Sequence, residues 1–262
     1  MFTPIGFFQS AGGFIPSFSP FAYYDALNPD SYDATNKTWS DLALVNTTDD
    51  STWDTAVQNA VLPTHNENGY WEIQEQGSDQ GFTYGNGGTT TNPFSLIAND
   101  VHTIFTYVRI DAYDGNSCDV IGNATSAGSI LLGAYDIGGS FGNNFARAHV
   151  WATGVQFTDS PTDSVVLDTW MIIGQRYTDV GSGQRRLDVF TCDYDGTVAI
   201  TQGSNFTPGS ITSTAQELRT GRNTEVRGNY DWAGYALYKD DLSNSDIQTV
   251  CDELSDRFGE PT

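Results

Sequence analysis

A chain of 262 residues with 33 acidic against 11 basic side chains carries a formal net charge of −22. Such a surface repels polyanions, which excludes nucleic acid and anionic membrane as partners. Abundant Gly, Thr, Ser, Asn, Tyr and Phe favour many short strands joined by tight turns, and no run of 18 apolar residues offers a membrane-spanning helix.

The first 24 residues are uncharged and hold Phe2, Phe7, Phe8, Phe14, Phe18 and Phe21. Without Lys or Arg at its start, and broken by Pro4, Gly6, Gly12, Gly13 and Pro16, this stretch does not read as a secretory signal. Exposed Phe side chains are costly in water. Residues 1–22 are therefore expected to be an apolar arm that docks on another protein or on a sister subunit, with residues 23–262 as one folded domain.

Residues 23–70 are polar and punctuated by Trp39 and Trp53; strand signals begin near residue 70. In "HTIFTYVRID", Ile104, Thr106, Val108 and Ile110 share one face and Phe105, Tyr107 and Arg109 the other. "VVLDTWMIIGQRYTD" reads as a buried strand pair or a bent strand, and "RRLDVFTCDYDGTVAI" as a hairpin turning at Asp195-Gly196. "NYDWAGYALYK" is a further strand. The chain ends in a helix, with Ser243 and Asp246 as a capping signal and Ile247, Val250, Cys251, Leu254 and Phe258 on one face; Gly259 stops it. The expected fold is all-β: an antiparallel β-sandwich with an extended N-terminal arm and a short C-terminal helix. Cys118, Cys192 and Cys251 allow at most one disulfide, their spacing selects no pair, and small buried hydrophobes are the better reading.

Residues 217–259 resemble the end of a concanavalin A-like lectin/glucanase domain of the laminin-G-like or pentraxin-like kind. The residues that carry this are Leu218-Arg219-Thr220-Gly221, Trp232 through Tyr238, Leu242-Ser243, Ile247 and Arg257-Phe258-Gly259. Trp170 and Gly196 match the family's hairpin, and Trp39 with Asp41 its opening phrase. The likeness spans about residues 23–259, with the middle third aligned by strand order alone. It implies a jelly roll of two antiparallel sheets. Domains of this kind with a Phe/Gly-rich lead resemble structural proteins of tailed viruses. That implies a virion component (capsid decoration, fibre or tail part), a homo-oligomer held to other virion proteins through residues 1–22 and displaying a lectin-like domain towards host glycans. A cell-surface or secreted carbohydrate-binding module is the alternative, and a glycoside hydrolase a weaker third reading.

Retaining glycoside hydrolysis needs two carboxyl groups roughly 5 Å apart. Glu72 and Glu75 in "WEIQEQ" are three residues apart and so face opposite ways on a strand. Ser140 in "GGSFG" lacks the strand-turn-helix setting of a nucleophile elbow, and His65, His102 and His149 have no metal-ligand spacing. No catalytic residue is named, and the chain is expected not to be an enzyme. No cofactor is expected apart from calcium, for which Asp111, Asp114, Asn116 and Asp119 supply oxygen ligands, although these are also ordinary turn residues. Trp53, Tyr84, Tyr113 and Trp151 are candidates for glycan contact by residue type, while Trp170 and Trp232 read as core.

Overall fold

The computed structural model describes residues 14–36, 38–43, 51–52, 63–74, 82–84, 101–113, 117–122, 130–136, 144–151, 154–194, 196–208, 218–220 and 228–260. Two antiparallel sheets face one another. Numbered in chain order, one sheet runs β15 (Ala199–Phe206), β14 (Gln184–Asp193), β13 (Trp170–Gly181), β8 (His102–Ala112), β17 (Asn229–Tyr238), β6 (Tyr70–Ile73), β5 (Thr64–Asn66), with β1 (Ala22–Asp25) on the second half of β17. The other runs β12 (Val155–Asp159), β11 (Asn144–Trp151), β10 (Ile130–Asp136), β9 (Ser117–Gly122), β16 (Leu218–Thr220), β7 (Thr83–Tyr84), β4 (Ser51–Thr52), β3 (Thr38–Trp39), β2 (Tyr32–Asp33). The expected all-β sandwich is what forms. Among the described residues no helix is long and apolar enough to cross a membrane.

Alternation along each strand builds the core. Ile104, Val108, Ile110, Ile173, Leu187, Val189, Trp232 and Tyr235 point inward from the first sheet and meet Val120, Leu132, Ala134, Ala146, Ala148 and Val150 from the second. Trp39 stands edge-on to Trp232 with ring centroids 5.0 Å apart. The run around Trp170 is a single strand, β13, which settles the choice left open by its sequence.

The back of the eight-stranded sheet carries a second apolar layer. Phe105, Tyr107, Trp170, Ile172, Phe190 and Tyr238 lie under helix α1 (Asn244–Phe258). The helix begins in the expected capping box: Ser243 accepts from the Asp246 N–H, and Asp246 accepts from the Ser243 N–H. Gly234 is required beneath it, because a Cβ there would overlap the Phe258 ring.

The lead is part of this layer from Phe14 onward. Phe14 packs edge-on to Tyr23 with centroids 5.9 Å apart, and the Arg257 guanidinium sits 5.9 Å from its ring. The Ser17 N–H donates to Glu253 at 2.7 Å, and the Tyr238 hydroxyl donates to the Ser17 carbonyl at 2.9 Å. The Lys239 ammonium lies 4.0 Å from the Phe21 ring centre, and Ala22 already pairs with Leu237. Phe14 and Phe21 thus spend their apolar surface on this chain's own sandwich, and the folded unit reaches back past the boundary placed at residue 23. Phe18 is 47% exposed. Phe2, Phe7 and Phe8 lie outside the described residues.

Candidate functional site

The outward face of the nine-stranded sheet is built differently. Ile130, Leu132 and Ala134 of β10, and Ala146, Ala148 and Val150 of β11, point into the core. The alternate positions Tyr135, Phe145, Arg147 and His149 therefore face out, joined by Val155, Phe157 and Asp159 of β12. Register sets Arg147 opposite Asp159, His149 opposite Phe157 and Tyr135 opposite Phe145.

Arg147 is the centre of this face. Its Nε and Nη2 donate to the two carboxylate oxygens of Asp159 at 2.6 and 2.7 Å. That bidentate bond is the main reason its guanidinium is held above its ordinary pKa. The planar group rests 4.8 Å from the Tyr135 ring centre, 5.3 Å from Phe145 and 4.6 Å from Phe157. The Tyr135 hydroxyl donates in turn to Asp119 at 2.8 Å. Phe157 stays 57% exposed and Val155 47%. The result is an aromatic platform edged by fixed donors and acceptors, suited to a ligand with one apolar face and a rim of hydroxyls.

A second polar cluster lies on the outward face of the eight-stranded sheet. Asp231 of β17 is in register with Glu72 on one side and Arg109 on the other. Arg109 bonds Asp231 and lies 3.3 Å from Asp111, with its guanidinium 5.6 Å from the Tyr70 ring centre and 5.5 Å from that of Trp170. Burial pushes the Asp231 carboxyl up to about 7, against the partial relief that Arg109 provides.

Of the residues proposed for calcium, the two described ones, Asp111 and Asp119, sit on different sheets. Asp111 faces out from the eight-stranded sheet beside Arg109, whereas Asp119 serves Tyr135 on the nine-stranded sheet, because β8 and β9 belong to different sheets. Asp114 and Asn116 lie outside the described residues, and among the described residues no group of three or more His, Cys, Asp or Glu could hold a metal ion.

Of the glycan candidates, Tyr113 packs half-buried against the inter-sheet core, with a buried hydroxyl that has no hydrogen-bond partner among the described residues and is pushed up by burial. It is not an open platform. Trp151 ends β11 opposite Val155, Tyr84 falls in β7, and Trp53 lies outside the described residues. Trp170 and Trp232 are buried, as expected. Sequence reasoning missed Arg147, Phe157 and Asp159. The usable signal was Gly154, at φ +115, which splits "RAHVWATGVQF" into the β11–β12 hairpin and so sets Arg147 against Asp159.

No protein-family model and no curated protein sequence matches the chain. Solved structures do. The binding domain of botulinum neurotoxin DC in complex with SialylT aligns over 90% of this chain and 52% of its own, at TM-score 0.60 and 10% identity. Trypanosoma rangeli sialidase in complex with sialic acid aligns over 93% of this chain and 34% of its own, at TM-score 0.56 and 15% identity. The receptor-binding domain of botulinum neurotoxin D aligns over 90% and 53%, at TM-score 0.53 and 9% identity. The chain spans about a third of the sialidase and about half of the toxin chains. At these identities the likeness shows a fold, the lectin-like β-sandwich.

The expectation that the chain is not an enzyme is corrected here. The fold recurs within sialidases, which are enzymes, so it does not separate binders from catalysts. A search for paired carboxylates along one strand also leaves out cross-strand neighbours such as Glu72 and Asp231, which are in register.

Proposed function

We propose that this chain is a lectin-like domain that binds glycans on the outward face of β10–β12. The observation that carries the reading is Phe157, 57% exposed beside an Arg147–Asp159 pair held bidentately at 2.6 and 2.7 Å. An exposed ring stacks on the apolar face of a sugar, and the locked pair offers its remaining donors and acceptors to hydroxyls. The kinship in fold with a toxin binding domain complexed with SialylT and with a sialidase complexed with sialic acid supports a glycan as ligand. The charges favour a neutral sugar over a sialylated one. Arg147 is already neutralised by Asp159, and a chain of net charge −22 repels a carboxylate.

The setting we propose is display on a virion, as a decoration, fibre or tail part. Phe14, the first described residue, packs on the helix side, opposite the Arg147 face. An anchor before Phe14 and a ligand on β10–β12 would therefore not compete for one surface.

A glycan array probed with the full-length protein, followed by calorimetry on the hits, tests the binding. Neutral hexose-terminated glycans should bind, and Phe157→Ala should weaken binding at least tenfold with an unchanged circular dichroism spectrum. An array with no hit would refute the reading. Binding confined to sialylated glycans would keep the lectin and overturn the choice of ligand.

A further inference from the structure

The structure selects one pair among the three cysteines. Cys118 is buried in the core between the sheets, on the far side of the eight-stranded sheet from the other two. Cys192, near the end of β14, and Cys251, midway along α1, share the layer under the helix. Two contacts fix the helix over this spot. Gln248, one turn before Cys251, accepts from the Val198 N–H at 2.9 Å and donates to the Gly196 carbonyl at 3.4 Å. The Cys192 thiol approaches the same Gly196 carbonyl at 3.2 Å. Both thiols are free and buried in this layer, and the Gly196 carbonyl that Cys192 meets is the one Gln248 holds a single helical turn from Cys251.

We propose that Cys192 and Cys251 are a redox latch, closing as a disulfide that staples helix α1 to β14. The oxidant is a small disulfide such as oxidised glutathione. The Cys192 thiolate attacks one of its sulfurs, forming a mixed disulfide and expelling one thiolate. Cys251 gives up its proton and attacks the Cys192 sulfur of that mixed disulfide, expelling the second thiolate. Two protein thiols lose two electrons, the small disulfide gains them, and two small thiols leave with the protons. The order follows from the surroundings. The neighbouring Cys251 thiol holds the Cys192 thiol below its ordinary pKa, whereas burial raises that of Cys251. Cys192 is 2% exposed and lies two residues before Tyr194, which is 38% exposed, so the oxidant reaches it by local opening at that end of β14.

The test is to hold the full-length native protein with oxidised glutathione at pH 8, quench with acid, count thiols after denaturation and map peptides without reduction. One thiol, Cys118, should remain, with the peptides of Cys192 and Cys251 joined. The thermal midpoint should rise by several degrees and return with dithiothreitol. Cys251→Ser should trap a glutathione adduct on Cys192, a readout that does not depend on the latch closing. Three free thiols after prolonged exposure, or a disulfide that includes Cys118, would overturn the proposal.

Discussion

Asp188 anchors the back of the sandwich, and replacing it tests how the helix side is held. The residue is fully buried in β14. One of its oxygens accepts from Arg176 at 3.0 and 2.7 Å, and Arg186 reaches the two oxygens at 2.7 and 3.1 Å. Arg176 spends its remaining Nη1 on the Leu242 carbonyl and on Asn244, both at 2.9 Å, which ties the entry of α1 to the sheet. Asp188→Ala leaves Arg186 free to turn to water, since its side chain is 21% exposed, but Arg176 at 7% has no such escape. Breaking a buried pair from one side costs about 3–5 kcal/mol. For a chain of this size each kcal/mol moves the thermal midpoint by about 2–4 °C, so a fall of roughly 6–20 °C is expected in a far-ultraviolet melt. Urea titration should show the same loss in midpoint with an unchanged slope. The double variant Asp188→Leu/Arg176→Met should regain a large part of it, because the unpaired charge is gone. A drop of less than about 3 °C for Asp188→Ala would show that Arg176 is solvated or re-paired, and the reasoning would fail.

Gly234→Ala forces a methyl into the Phe258 ring and should destabilise by about 1–3 kcal/mol, read by denaturant titration. Ser243→Ala removes the capping box of α1 and should cost about 1 kcal/mol, with a loss confined to midpoint rather than slope. Asp231 gives a dependence on pH. Its carboxyl binds a proton more tightly when folded, at about 7 against an ordinary 3.8. Its contribution to stability is therefore complete below about pH 4 and lost as pH rises through 7. Thermal midpoints at pH 5 and pH 8 should fall less in Asp231→Asn than in the natural chain; equal falls would contradict the assignment.

The helix was legible because its signals are local: Ser243 and Asp246 are three residues apart, and its apolar face repeats within one segment. The two faces of β8 were legible for the same reason, since a period of two separates Val108 from Arg109. A period of two says which side a residue takes but not which strand lies beside it. That is why Glu72 was matched with Glu75, three positions on in sequence, and not with Asp231, and why Asp111 and Asp119, eight positions apart, were grouped although β8 and β9 part into different sheets. The contacts of the lead from Phe14 onward were illegible on the same ground. Tyr238, Lys239, Glu253 and Arg257, which receive Phe14, Ser17 and Phe21, stand more than two hundred residues away.

The two outward faces of the sandwich cover their aromatic side chains to different degrees, and the difference supports the glycan site proposed on β10–β12. On the eight-stranded sheet Phe105, Tyr107, Trp170 and Phe190 are sealed by α1 and by the lead from Phe14. Sealing is what stability alone favours, because each covered ring contributes roughly 1.5–3 kcal/mol. On the nine-stranded sheet Arg147 lies over Tyr135, Phe145 and Phe157; Phe145 is buried, but Phe157 is left more than half in water. A leucine in place of Arg147 would cover the same rings without the side-chain ordering that a bidentate pair with Asp159 demands. What the leucine would not supply is a flat, oriented set of N–H donors beside an open ring. An open ring beside directed polar groups is what the proposed glycan, which has both characters, would meet on β10–β12.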